Sequence, residues 1–214
     1  MELNINNLVI EHQDGTAMRR ILDNIDLKVN TKESVILLGP SGSGKSSLLY
    51  AMSTLRKPTS GKIYLDGKNI FDMGSLEKVR YKHFGFIFQQ NFLIPHLSAL
   101  ENICRVRKER DIKEKAHNLL GKLGINHLAN KFPHELSGGE KQRVSIVRAL
   151  VSSPDIVIAD EPTASLDKDN ARQVYKLIKS VTKDRILIMS THDVSILDGT
   201  ERVLKIDDKN LKEV

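Results

Sequence analysis

Along the first 30 residues apolar side chains alternate with polar ones, most clearly at Ile25, Leu27 and Val29. That is the period of a half-buried strand. The pattern tightens over 34–38 into a short apolar run that stops at a glycine-rich turn, as a buried parallel strand does. Residues 48–55 have helical spacing, and Asp66-Gly67 between apolar residues of 62–70 predicts a hairpin turn. Residues 84–88 are the next strand candidate. From about 91 to 152 the period is mostly helical, with Leu119, Leu120 and Leu123 on one face and Ser98 and Glu101 at capping-box spacing. Apolar runs return at 156–159, 186–189 and 203–206, with a helix expected over 170–182. Strands separated by helices predict an α/β fold with a mostly parallel sheet. The expected organisation is an α/β core over 1–90 and 153–214, its N-terminal part antiparallel β, with a helical subdomain inserted at 91–152.

Composition narrows this picture. The 214 residues suit one large domain or one domain with an insertion. Aromatics are only 5% and Trp is absent, so a core drawn from the 40% hydrophobic residues must be aliphatic. The longest apolar runs, such as 35–38 and 186–189, fall far short of the ~20 residues of a membrane span. Any membrane role then needs a partner chain. Cys104 is the only cysteine, which excludes an intrachain disulfide and fits a reducing compartment. The N-terminal MELNINNLVIEH lacks a basic stretch followed by an apolar one, so no signal peptide is expected. A net charge of +6 suits nucleic acid, anionic lipid or nucleotide, and equally a solvated surface with surplus lysine.

Three segments carry chemistry. Gly39, Pro40, Ser41, Gly42, Ser43, Gly44, Lys45 and Ser46 form GxxxxGK[ST] between a predicted strand and a predicted helix. Glycines let backbone amides converge on phosphate, and the helix N-terminus adds partial positive charge. Lys45 then reaches the terminal phosphates of a bound ATP, and the Ser46 hydroxyl serves Mg²⁺. The second segment is Asp160-Glu161, at the C-terminal end of the run 156–159, where open α/β sheets bind ligands. Asp160 suits the metal and Glu161 suits polarising an attacking water. Third, Leu136-Ser137-Gly138-Gly139-Glu140 opens an apolar-periodic helix. Ser137 and Glu140 have capping-box spacing. Two glycines there weaken a helix, which makes sense if backbone must approach a ligand closely.

In this order and spacing the chain resembles the ABC ATPase family over essentially its whole length. Walker A lies at 39–46 and a Q-loop glutamine at Gln89 within Phe86-Ile87-Phe88-Gln89-Gln90. The signature lies at 136–140 and Walker B ends in Asp160, followed by Glu161. A D-loop at 164–167 ends in Asp167, and an H-loop at 190–193 carries His192. The resemblance implies that two such chains, or this chain and a homologous ATPase subunit, pair head to tail. Each ATP would lie between one chain's Gly39–Ser47 and the other chain's Ser137, Gly138, Gly139 and Glu140, with Asp167 nearby. It also implies Mg²⁺ on Ser46, Gln89 and Asp160, catalysis by Lys45, Gln89, Glu161 and His192, and a relay from Gln89 to a membrane partner. Where the family has an adenine-stacking aromatic upstream of Walker A, the aligned position is near His12, whose imidazole offers less area than a phenol. Lys141 follows the signature where Gln is frequent.

Residues 86–103 look like the branch of macrolide exporters, lipoprotein-release ATPases and the cell-division ATPase. The resemblance implies ATP hydrolysis coupled to a separate integral membrane permease, at the cytoplasmic face of the membrane, for export of a peptide, lipid-like or drug-like substrate. Phe92, Leu93, Ile94, Pro95 and Leu97 suit either core packing or a docking patch for that permease. A division-type ATPase, acting through a membrane partner without moving a substrate, is the alternative. A P-loop kinase or GTPase would not need residues 136–140. DNA-repair or ribosome-associated relatives usually carry coiled coils or two ATPase domains, so no nucleic-acid partner is expected.

Overall fold

The computed structural model describes residues 1–107, 109–164 and 166–214. The chain runs β1 (Glu2–Asp14), β2 (Ala17–Asn30), β3 (Ser34–Leu38), α1 (Lys45–Met52), β4 (Ser60–Leu65), β5 (Lys68–Asn69), α2 (Leu76–His83) and β6 (Phe84–Ile87). Helices α3 (Ala99–Cys104), α4 (Ile112–Lys122) and α5 (Gly138–Leu150) follow. The chain closes with β7 (Ile156–Asp160), α6 (Lys168–Thr182), β8 (Ile186–Ser190), β9 (Arg202–Asp207) and β10 (Asn210–Glu213).

Two sheets result. One is antiparallel, in the order β2-β1-β4-β5. The other is β10-β9-β3-β8-β7-β6, parallel throughout except for β10. The central strands are buried on both faces, which is why they read as continuous apolar runs rather than alternating ones. Their two sets of side chains still part company by period 2. Val35, Leu37, Ile156, Ile158, Ile186 and Ile188 face a core shared with β1, β2, β4 and α1. Ile36, Val157, Ala159, Leu187 and Met189 face a second core built with α3 to α6.

The boundaries differ from expectation in ways that have local causes. Helix α1 starts at Lys45 rather than 48, because Gly44 at φ 104 turns the chain straight into it. It stops at Met52, and Thr54 at φ 60 breaks the path. Helix α6 starts at Lys168 because the Asp167 side chain accepts from the Asn170 amide. Among the described residues of 91–152, α-helix is confined to α3, α4 and α5, and turns and short 3₁₀ segments are found between them. The hairpin turn is where Asp66-Gly67 placed it, with φ 48 and 77. Two elements had no visible periodic signal: α2, of which only Val79 and His83 are buried, and β10, joined to β9 by a turn at Asp208-Lys209.

Candidate functional site

The parallel strands end on one side of the sheet, and the candidate residues collect there. At the end of β3 the chain turns through Gly39–Gly44 into α1, whose first turn has neither a side-chain cap nor an acidic residue. Its amides are left for a ligand, and an anion suits the positive end of the helix. Gly39, at φ 153, has no room for a side chain: a Cβ would sit 2.6 Å from Ser43 Oγ. Lys45 is only 6% exposed. Its ammonium donates to the carbonyls of Gly39 (2.7 Å) and Pro40 (3.1 Å) and lies 3.5 Å from Glu161 Oε1.

His12, Ser41, Gly42, Gly44, Lys45, Ser46, Ser47, Gln89 and Glu161 line one open cavity of about 400 Å³. Pro40 and Ser43 line a smaller space beside it, with Arg19 and Arg20. His12 reaches the cavity from β1, and its Nε2 lies 3.3 Å from Ser47 Oγ. Burial first, and then the positive charge of Arg56, hold its imidazole below the usual histidine value, so it is neutral around pH 7.

The two carboxylates at the end of β7 have different surroundings. Asp160 is 7% exposed and accepts from Ser190 Oγ at 2.7 Å. Tyr50, on α1, stands near the same carboxylate, and its hydroxyl is pushed above the usual phenol value by burial first and then by Asp160. Glu161 stands in the left-handed region at φ 42, and its amide donates to the same Ser190 Oγ at 2.9 Å. Its carboxylate lies between Lys45 and His192, whose Nδ1 is 3.5 Å from Oε2. His192 is 63% exposed and borders, with Glu161 and Thr163, a separate small cavity.

Residues 136–140 do not join this site. Ser137 caps α5 with a full capping box: its Oγ accepts from the Glu140 amide, and Glu140 Oε2 accepts from the Ser137 amide at 2.7 Å. A Cβ on Gly138 or Gly139 would meet nothing within 4 Å. No close approach within the chain therefore requires glycine at either place. Asp167 is engaged as the cap of α6, and its neighbour Ser165 in the proposed D-loop lies outside the described residues.

Ser190 and Tyr50 had no role in the sequence reading, yet Ser190 bonds Asp160 and Tyr50 stands near it. Tyr50 carried a signal, since it stands four residues after Ser46 and so on the same helix face. Ser190 carried none, because its place opposite Asp160 is set by β7–β8 register. The patch expected at 92–97 is divided. Phe92 and Ile94 line an apolar groove of about 420 Å³ with Phe86 and Phe88, whereas Leu93 packs against the helical core.

Comparisons with known proteins agree with this geometry. The family model described as ABC transporter matches residues 22–164. The chain is 41% identical to the putative hemin import ATP-binding protein HrtA of Staphylococcus haemolyticus, over 99% of this chain and all of that one. It is 37% identical to the lipoprotein-releasing system ATP-binding protein LolD of Hydrogenovibrio crunogenus, over 94% of this chain and 91% of that one. The dimeric structure of MJ0796, a bacterial ABC transporter cassette, superposes with a TM-score of 0.89 at 32% identity, covering 99% of this chain and 97% of that chain. A second structure of MJ0796 is a dimer in a post-hydrolysis state bound to ADP and Pi. No helix among the described residues is long and apolar enough to cross a membrane. With the phosphate loop, the paired carboxylates and the signature turn all in place on the matching fold, the chain belongs to the ABC transporter family, as one of its ATP-hydrolysing cassettes.

Proposed function

We propose that two copies of this chain, or one copy and a homologous cassette, close around two ATP molecules and so drive a separate membrane subunit. The observation that carries this is the division of the site. Lys45, Ser46, Gln89 and Glu161 share one cavity, while a Cβ added to Gly138 or Gly139 would meet nothing within 4 Å among the described residues. A cavity of this openness has one wall to be supplied from outside, and the signature turn is a wall with no cavity.

Within the site, Lys45 exchanges its bonds to the Gly39 and Pro40 carbonyls for phosphate oxygens. Glu161, whose amide is tied to the Ser190 hydroxyl and whose carboxylate lies between Lys45 and His192, holds and polarises the attacking water. His192 and Gln89 contact the terminal phosphate, and His12 stacks on the base. Ser46 and Asp160 suit Mg²⁺. They are hard oxygen donors, and no group of three or more His, Cys, Asp or Glu among the described residues is arranged to hold a metal by itself. Such a set matches a cation that takes much of its coordination from phosphate and water. When bound, Mg²⁺ neutralises charge developing on the phosphates.

The helices over 91–152 form a subdomain that carries the signature, and the apolar groove between β6 and α5 receives a cytoplasmic helix of the membrane subunit. The names of the relatives speak of hemin import and of lipoprotein release, two bulky substances with large apolar surface. For this chain the proposed work is export of a lipid-like, peptide or drug-like substrate from the cytoplasmic face, a direction in line with the lipoprotein-releasing relative and opposite to the hemin one.

The test separates binding from chemistry. Glu161→Gln keeps shape but loses the charge that draws a proton from water. It should run as a dimer with Mg²⁺-ATP and as a monomer with ADP in size-exclusion chromatography with light scattering. Asp160→Asn should give no stable dimer. Near-normal hydrolysis by Glu161→Gln, or identical behaviour of the two variants, would overturn the assignment.

A further inference from the structure

Arg148, near the C-terminal end of α5, is half-buried and has no carboxylate partner among the described residues. Burial alone holds its guanidinium below the usual arginine value. What it binds is backbone: Nη1 donates to the Phe92 carbonyl at 2.7 Å and Nη2 to the Asn91 carbonyl at 2.6 Å. Phe92 is held at φ 44, a left-handed conformation that a bulky residue keeps only when its surroundings impose it. The next residues are tied to α3: the Asn102 side chain accepts from the Ile94 amide and donates to the carbonyls of Ile94, Leu97 and Ser98. Residues 91–98 are thus fastened to the helices, while Phe84–Ile87 belong to the sheet. Between them lie exposed Gln89 and Gln90, and Gln89 lines the nucleotide cavity.

We propose that Arg148 is a positioning residue of the composite ATPase site. By clamping the backbone two residues after Gln89 to the helix that begins at the signature, it makes the place of Gln89 and the place of Ser137–Glu140 a single variable. Nucleotide that draws in Gln89 then swings the signature turn toward the partner cassette, with α5 pivoting about its far end, where Ala149 rests on Gly85 of β6. A planar fork is required, because two carbonyls on adjacent residues are held at once by two nitrogens of one rigid group. The inference rests on the two-chain reading above.

The experiment uses Arg148→Lys, which keeps the charge and most of the packing but cannot bond both carbonyls, with Arg148→Gln as a second variant. ATP affinity of the isolated chain should stay within about 2-fold, since Arg148 lies outside the nucleotide cavity. In the wild-type background kcat should fall by about 10-fold with KM little changed, the signature of an interaction that matters after binding. In the Glu161→Gln background the protein concentration for half-maximal Mg²⁺-ATP dimer should rise by about 10-fold. Unchanged kcat and dimerisation in both variants would overturn the clamp. So would a parallel loss of ATP affinity and kcat, which marks general packing. If Glu161→Gln alone stays monomeric, the two-chain reading fails instead, and the kcat and KM arm decides the clamp by itself.

Discussion

Ser190 shows how one hydroxyl serves two carboxylate-bearing residues. It donates to Asp160 and accepts from the amide of Glu161, so it fixes the carboxylate proposed to serve the metal and the left-handed backbone from which the proposed water-polarising one projects. Ser190→Ala leaves that amide unpaired at a site where a lost bond costs about 1–3 kcal/mol. The expected result is a kcat lower by about 10-fold or more, with ATP affinity nearly kept, because Lys45 and Ser46 are untouched. Steady-state kinetics beside a binding titration checks it, and equal losses in both would assign Ser190 to binding. His12 is a second residue-scale case. If its neutral ring stacks on adenine, His12→Tyr should bind ATP at least as tightly. His12→Ala should lose about 1–3 kcal/mol, the range for base–aromatic stacking. Indifference of ATP affinity to both changes would move the adenine contact elsewhere.

At the scale of elements, the contact between β6 and α5 has little tolerance. A Cβ on Gly85 would stand 2.4 Å from the Ala149 carbonyl and 2.8 Å from Pro154 Cγ. Glycine there brings a sheet strand directly against the backbone of the signature helix. Gly85→Ala must push the two apart, and overpacking of this kind costs about 1–3 kcal/mol. For a chain of this size that is a fall in melting temperature of roughly 2–10 °C. A calorimetric midpoint equal to wild type would mean that the strand and helix yield without cost. Several elements were legible for local reasons: β3, β7 and β8 as apolar runs, α3 and α5 from their Ser-x-x-Glu caps, and the β4–β5 hairpin from Asp66-Gly67. Helix α2 was not, since its face is mostly polar. The β9–β10 turn was not either, because Asp208 and Lys209 adopt φ 45 and 66 without a glycine to announce it.

At the scale of the whole molecule, the proposed sharing of the site between two cassettes predicts that ATP hydrolysis per subunit rises with protein concentration as cassettes pair. A rate per subunit that stays flat into the nanomolar range, with the protein monomeric throughout, would show that one chain completes its own site. The sequence by itself determined the parts of that site that are contiguous: the phosphate loop, Asp160 with Glu161, and the signature turn. Each is a short run whose residue types have a physical reason to follow one another, so spacing along the chain stands in for geometry. Only the tertiary structure decided what crosses between elements. Glu161 between Lys45 and His192, Ser190 on Asp160, and Arg148 on the backbone after Gln89 all depend on strand register and helix packing. Those are fixed by two buried cores on opposite faces of one sheet, through contacts between residues up to about a hundred or more positions apart, which no local pattern encodes.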